Sequence, residues 1–164
     1  MLNSGKIALI AMVAGAAAVA PAQDATPVDR SQDLAWHSAQ QNALASRSYK
    51  DGWSYLDGGV LWRRVAGPGT GAKPSVADTV EVHYEGTFVD GSKFDSSYDR
   101  GEPAKFPLGR LVTAWQLAIP QMGVGDTIEL AVPASMGYGA VGRGPIPGGA
   151  TLLFKIELLG IDKS

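Results

Sequence analysis

The stretch His83–Arg100, with the sequence HYEGTFVDGSKFDSSYDR, decides how the rest of the chain is interpreted. Apolar side chains alternate through Val80, Val82 and Tyr84 where the chain enters this stretch. Such an alternation is typical of a β-strand that buries one face. The stretch is therefore predicted to begin as a half-buried strand.

The second half of the stretch combines a turn with an aromatic side chain. Asp90 and Gly91 suit the positive backbone angles of a tight hairpin turn. Beyond the turn, Phe94 and Asp95 place a ring beside a carboxylate, with no nucleophile or metal ligand next to them. This combination predicts a site that binds an apolar group and does little bond-making.

Composition sets limits on the rest. A length of 164 residues indicates one domain with appendages, and 45% hydrophobic with 18% charged residues is enough for a packed core. The net charge of −2 and the absence of a Lys/Arg run give no reason to expect a nucleic acid partner. The chain has no cysteine, which excludes disulfides, thiolate nucleophiles and cysteine-based zinc sites.

Residues 1–22 are predicted to be a signal peptide for export. Lys6 supplies the positive charge, residues 7–19 form an apolar run of 13 residues, and the small residues at 20–22 favour cleavage before Gln23. The predicted location is the periplasm. The alternative is an uncleaved inner-membrane anchor, although the run is shorter than the roughly 20 residues that span a bilayer.

Residues 23–59 are predicted to be an N-terminal extension with one helix, at Asp33–Ser48. The helical stripe of apolar residues is thin, which favours a monomer. The helix could pack on the main domain, pair with another copy, or do neither. The residues of this predicted stripe are Ala35, Trp36, Ala39 and Ala43.

Residues 60–164 are predicted to form the main domain, with four or five half-buried strands and one short helix. The alternation at 126–132 points Ile128, Leu130 and Val132 inward and Thr127, Glu129 and Ala131 outward. The other predicted strands are Val60–Val65, the segment from Asp78 into the opening stretch, Pro103–Leu108 at a sheet edge, and Thr151–Gly160.

The predicted helix begins at Thr113. Thr113 and Gln116 match a capping box, in which Thr113 would be the N-cap, and Pro120 would end the helix after about two turns. Half-buried strands with one helix on their apolar face predict an α+β fold with an antiparallel sheet.

Two other patterns carry little weight. The glycine spacing at 137–142 matches a dinucleotide-binding motif, but the proline-containing 143–147 that follows cannot form the helix this motif needs. His37 and His83 are the only histidines, which is weak support for a metal site. No histidine base lies near Ser92, Ser96 or Ser97 in sequence, so hydrolase chemistry is not expected.

Several ordered blocks resemble the FKBP-type peptidyl-prolyl cis-trans isomerases. The blocks are YEGTFVDGSKFDSSYDRG, FPLGR, W…IPQMGVGD and YGAVGRGPIPGGATLLFKIELL, within a match from Val60 to Ile161 that covers over 60% of the chain. The resemblance implies a strongly bent antiparallel β-sheet wrapped around one short α-helix, here with an N-terminal helical extension. It also implies isomerisation of X–Pro peptide bonds without a cofactor.

The resemblance also assigns roles to residues. Trp115 would be the floor of a proline pocket, Asp95 would lie at its rim near the twisting imide, and Tyr138 would offer its hydroxyl to a substrate carbonyl. The catalytic set is Tyr84, Phe94, Asp95, Trp115, Tyr138 and Phe154. The substrate-binding set is Phe106, Leu111, Val112 (through its backbone amide), Ile146 and Arg100 as a partner of Asp95.

The sequence departs from the family pattern at a few positions. Ala114 stands where a glycine usually precedes the tryptophan, Ala104 stands where an aromatic is frequent, and Gly148-Gly149 replaces a more usual Pro-Asn-like pair. These changes bear on substrate preference and macrolide affinity rather than on the pocket floor.

The expected function is acceleration of X–Pro rotation during the folding of exported proteins. The expected partners are proline-containing unfolded or folding polypeptides and macrolide inhibitors, with no stable membrane anchor. The alternative is a periplasmic chaperone or peptide-binding module that uses the same apolar groove without catalysis.

Overall fold

A computed structural model describes residues 26–164. The predicted signal peptide lies outside the described residues. The helices are α1 (Leu34–Ala45), α2 (Ser97–Arg100) and α3 (Thr113–Ala118). The strands are β1 (Ser54–Tyr55), β2 (Leu61–Ala66), β3 (Thr79–Thr87), β4 (Lys93–Ser96), β5 (Ala104–Pro107), β6 (Thr127–Val132), β7 (Gly142–Arg143), β8 (Ile146–Pro147) and β9 (Leu152–Asp162).

Within the described residues, seven strands form one sheet in the order β1-β2-β6-β9-β3-β4, and β5 also pairs with β3. All of the pairs are antiparallel. One edge of β3 is shared, because residues 79–82 pair with β5 and residues 85–87 pair with β4. Strand β3 therefore pairs with three strands, and residues 85–87 of the opening stretch lie between β4 and β9.

The core lies between the sheet and α3. On β9, Leu152, Phe154, Ile156 and Leu158 are all at most 3% exposed, and Trp115 of α3 is fully buried against them. Complete burial of such side chains stabilises a fold by about 1.5–3 kcal/mol each. The predicted fold class, an α+β antiparallel sheet packed on one short helix, is confirmed.

The strand count and the exposure of one residue were predicted wrongly. Very short strands such as β1, β7 and β8 raise the number above the predicted four or five, because two residues leave no alternation to detect. Ala131 was predicted to face outward but is fully buried. The outer sheet face carries a second apolar cluster there, with Trp53 and Leu61.

The capping box of α3 was also predicted wrongly. Thr113 is the first helical residue, the N-cap is Val112, and no side chain caps it. The Gln116 side chain instead donates to the carbonyl oxygens of Leu111, at 2.7 Å, and Gly109, at 3.3 Å. It thereby fixes the segment that leads into the helix. The predicted end holds, since α3 stops before Pro120.

Helix α1 is confirmed, with Asp33 as its N-cap through a 2.9 Å bond from the Trp36 N–H. Its predicted apolar stripe is wrong, because Ala35 and Ala39 are exposed. The helix instead buries Gln40, which is 6% exposed, along a row with Trp36 and Leu44. No helix within residues 26–164 is long and apolar enough to cross a membrane.

Candidate active site

Four aromatic rings from four elements meet above α3. Tyr84 comes from β3, Phe106 from β5, Trp115 from α3 and Phe154 from β9. The Trp115 ring lies 5.4 Å from Tyr84, 6.2 Å from Phe106 and 5.5 Å from Phe154, each edge-on. Edge-to-face aromatic contacts contribute beyond the area that they bury. Trp115 is therefore the centre of this cluster.

Phe94 extends the cluster to the rim. The half-buried Phe94 ring lies 5.7 Å from Phe154 and 5.0 Å from Phe88. Gly86 of β3 lies directly beneath, since a Cβ there would approach the Phe94 ring to 2.5 Å and the Phe154 ring to 3.0 Å. Sequence reasoning missed both Gly86 and Phe88. A glycine inside an alternating strand was the available signal for Gly86.

Asp95 forms a compact polar group with two predicted neighbours. The Tyr84 hydroxyl donates to Asp95 Oδ2 at 2.5 Å, and Arg100 donates to Asp95 Oδ1 at 2.7 Å and to the Tyr84 hydroxyl at 3.1 Å. The Asp95 side chain is fully buried and that of Arg100 is 10% exposed. The predicted pairing of Arg100 with Asp95 is confirmed.

The electrostatics of this group follow from its burial. Burial raises the pKa of Asp95, against the lowering effect of the bonds from Tyr84 and Arg100. Burial, together with the Asp95 charge, raises the pKa of Tyr84 well above its usual value. The Tyr84 phenol is therefore held as a hydrogen-bond donor, aimed at Asp95.

Helix α2 brings Arg100 back onto the strand. The Ser96 side chain caps this single turn by accepting from the Asp99 N–H, and Gly101, at φ +75°, ends it. Ser97 attaches the turn to β3, because its hydroxyl accepts from the buried Tyr84 N–H at 2.7 Å. Four residues of helix thus set the position of the Arg100 guanidinium.

Tyr138 lies in the long loop between β6 and β9. Its hydroxyl is buried and has no hydrogen-bond partner among the described residues. Burial raises the pKa of Tyr138, the Arg143 charge lowers it and the Asp95 charge raises it. The hydroxyl is thus a protonated donor near Asp95, with free capacity to bond a ligand carbonyl.

The remaining predicted residues close the apolar wall. Ile146 of β8 is 1% exposed, and Leu111 and Val112, just before α3, are 1% and 3% exposed. All three belong to the same core cluster as the four rings, and Phe94 and Tyr138 pack against it. The structure therefore brings every predicted site residue together.

The structure also agrees with the rejection of the dinucleotide motif. Residues 137–142 follow a short 3-10 turn and enter the β7–β8 hairpin, so no helix follows the glycines. Within residues 26–164, no group of three or more His, Asp or Glu side chains is arranged to hold a metal ion. The described site combines a buried cluster of rings with the half-buried Phe94 at its rim, one buried ion pair and one hydroxyl without a described partner.

Comparison with known proteins places this site in a family. Residues 70–159 match the family model for FKBP-type peptidyl-prolyl cis-trans isomerases. A structure of a peptidyl-prolyl cis-trans isomerase from Pseudomonas syringae is similar, with a TM-score of 0.71 and 34% identity over 79% of this chain and 95% of that one. The fold is thus that of an isomerase domain, and this chain belongs to the FKBP-type peptidyl-prolyl cis-trans isomerase family.

Two relatives show how far the likeness extends. The chain is 45% identical over 120 residues to the FKBP-type isomerase FkpA of Aeromonas hydrophila, covering 73% of this chain and 44% of FkpA. It is 41% identical over 123 residues to the outer membrane protein MIP of Legionella longbeachae, covering 74% of this chain and 52% of that protein. The chain thus spans about half the length of these two relatives.

Proposed function

We propose that this chain is an exported peptidyl-prolyl cis-trans isomerase that accelerates X–Pro rotation in folding polypeptides. The observation that carries the proposal is the ring cluster around Trp115 beside a buried Asp95–Tyr84–Arg100 group. The Tyr138 hydroxyl, buried and without a described partner, adds a donor for a substrate carbonyl. No cofactor is part of the proposal.

Rotation about an X–Pro bond requires little making or breaking of covalent bonds. Amide resonance opposes rotation with a barrier of about 18–20 kcal/mol, so uncatalysed X–Pro exchange takes tens to hundreds of seconds. The twisted imide has lost its resonance and has a less polarised carbonyl than the planar one. An apolar surface that replaces water around the imide therefore favours the twisted state, and about 3–5 kcal/mol of preference gives a hundred- to ten-thousandfold acceleration.

The proposed roles follow from position. The proline ring packs on Trp115 between Phe94 and the wall formed by Ile146. The Tyr138 hydroxyl donates to a substrate carbonyl, and Asp95 lies next to the twisting imide. The Val112 backbone amide donates a second bond, while Tyr84, Phe154, Phe106 and Leu111 shape the pocket and Arg100 holds Asp95.

The location is proposed from the N-terminal sequence. A positive residue, an apolar run and small residues at 20–22 favour export with cleavage before Gln23, followed by an extension to residue 59 and the isomerase domain from residue 60. The mass of the protein recovered from the periplasm of a producing bacterium tests this. A chain that begins at Gln23 supports export, and an intact N-terminus in the membrane fraction supports the anchor.

The substrates are proposed to be proline-containing chains, with macrolides as competing ligands and a monomer as the active form. The alternative is a chaperone that only holds chains in the same groove. The two are separated by a Tyr138→Phe variant, with Tyr55→Phe as the control because the Tyr55 side chain is 55% exposed. Both variants are measured in peptide isomerisation and in suppression of aggregation.

The isomerase proposal expects Tyr138→Phe to lose about tenfold in the isomerisation rate, because one transition-state hydrogen bond is worth roughly 1–1.5 kcal/mol. Suppression of aggregation should persist, and Tyr55→Phe should match the wild type in both assays. Aggregation suppression by a wild-type chain that does not accelerate isomerisation would establish the chaperone alternative.

A further inference from the structure

Helix α1 lies against the loop that carries Tyr138 and Ile146. This loop, residues 137–151, is called the active-site loop below. We propose that α1, through Gln40 and Trp36, positions the active-site loop for catalysis, so that the N-terminal extension is a working part of the isomerase site. The inference rests on the proposed function and names residues outside the predicted site.

Gln40 makes the first contact. The Thr151 N–H donates to Gln40 Oε1 at 2.9 Å, and the Thr151 hydroxyl donates to the Gln40 carbonyl oxygen at 3.3 Å. Gln40 is 6% exposed and Thr151 is 2% exposed. Two buried hydrogen bonds between residues 111 positions apart thus fix the end of the active-site loop to the helix.

Trp36 makes the second contact, one helical turn earlier. A Cβ placed on Gly149 would lie 3.5 Å from the Trp36 ring, so the indole rests against the loop backbone. Gly149 has a φ of +79°, and its N–H donates to the Gly139 carbonyl at 2.9 Å, which joins the two arms of the loop. The glycine that departs from the family pattern is therefore the residue on which α1 lies.

The other end of α1 is held by the sheet. Leu44 packs against the outer cluster that contains Trp53 and Leu61. The Trp53 ring lies between two guanidinium groups, 5.1 Å from Arg47, just after the helix, and 4.8 Å from Arg63 of β2. Because α1 is fixed at this end, the contacts that it makes through Gln40 and Trp36 connect the active-site loop to the sheet.

The loop itself has little regular structure to hold it. Between its 3-10 turn and β9 it contains only the two-residue strands β7 and β8. If the loop samples other positions, only the fraction of molecules with Tyr138 and Ile146 in place binds substrate. The apparent substrate affinity falls by that fraction, whereas turnover of the bound complex is preserved.

The test compares two neighbouring glutamines in the full chain. Gln40→Met removes the buried acceptor with little change in shape, and Gln41→Met makes the same change at an exposed position. We expect about a fivefold rise in KM for Gln40→Met with kcat within about twofold, and wild-type constants for Gln41→Met. Amide hydrogen exchange of residues 137–151 should accelerate only in Gln40→Met.

Other results overturn the inference. A folded Gln40→Met with wild-type KM and wild-type exchange in the active-site loop would show that α1 does not position it. If Gln40→Met fails to fold, Thr151→Val, which removes only the hydroxyl bond, decides by the same two readouts. A wild-type chain without activity would instead refute the proposed function, while the exchange measurement would still decide whether α1 orders the loop.

Discussion

Gly86 is a small residue with a large effect on the site. It lies in β3 opposite both Asp95 of β4 and Phe154 of β9. The rings of Phe94 and Phe154 occupy the space that a side chain would need. The ring surface thus depends on a strand position that presents only backbone.

A Gly86→Ala variant should therefore weaken both the site and the fold. The new methyl group displaces the half-buried Phe94 ring, at a cost of about 1–3 kcal/mol in the free energy of unfolding. We expect peptide isomerisation to fall at least tenfold in protein that is still folded. Gly91→Ala, at a turn position with open space around it, is the control for the loss of a glycine, since any effect there comes from its φ of +87°.

At the scale of elements, α2 is the single turn that brings Arg100 to the Asp95 carboxylate. Its Ser97 is fully buried and lies 2.7 Å from the Tyr84 N–H and 2.9 Å from His83 Nδ1. The His83 ring in turn stacks on Tyr98, at 4.7 Å. The position of Arg100 at the end of the turn thus depends on a serine outside the predicted set of site residues.

Ser97→Ala should destabilise the protein by about 1–3 kcal/mol, because it leaves the buried Tyr84 N–H without its acceptor. Urea unfolding followed by tryptophan fluorescence measures the change. Ser38→Ala on the exposed side of α1 is the matched control and should stay within about 0.5 kcal/mol of the wild type. Equal stability of Ser97→Ala and the wild type would contradict this account of α2.

The elements differ in how far the sequence could predict them. The long strands β3, β6 and β9 could be predicted because their apolar and polar residues alternate. The blocks that resemble the family identified the candidate site residues. Gln40 could not be found in this way, because a buried glutamine does not contribute to an apolar periodicity. Its partner Thr151 is also far away in sequence. The burial of Ala131 could not be predicted either, because Trp53, which covers the outer face, is far away in sequence.

At the scale of the whole molecule, the buried carboxylates of Asp126 and Asp78 join distant parts of the chain. Asp126 accepts from the N–H groups of Gly123 and Gly69, both at 2.8 Å, and from Arg64. Asp78, next to β3, accepts from Lys163 and the Ser164 N–H near the C-terminus. Asp126 thus holds Gly69 beyond the end of β2, and Asp78 holds the two residues beyond the end of β9.

These carboxylates predict a loss of stability in acid. Burial alone would raise the pKa of Asp126, but its backbone hydrogen bonds and Arg64 bring the net pKa below the ordinary 3.8. The Ser75 N–H bond and Lys163 lower the pKa of Asp78 from the same ordinary value of 3.8. Because the unfolded chain then binds more protons, both contributions are present above about pH 4 and are lost as the pH falls below it.

Urea unfolding at pH 7, 5 and 3 measures this loss. We expect a lower urea midpoint at pH 3 than at pH 5, with a smaller decrease for Asp126→Asn, which has no charge to lose. If the urea midpoint of Asp126→Asn fell between pH 5 and pH 3 by as much as that of the wild type, this carboxylate would not be a source of the acid sensitivity.

The central claim is that the ring cluster and the Asp95 group catalyse cis-trans isomerisation of X–Pro bonds. The most direct measurement is the cis-to-trans relaxation rate of a short proline peptide in the presence of the full wild-type chain. It is repeated with an FKBP-family macrolide inhibitor added, and with a Trp115→Ala, Phe94→Ala double variant in place of the wild type. Our account predicts that the wild-type chain accelerates relaxation at least a hundredfold, and that the macrolide and the double variant each abolish the effect. A folded wild-type chain that leaves the relaxation rate unchanged would contradict it.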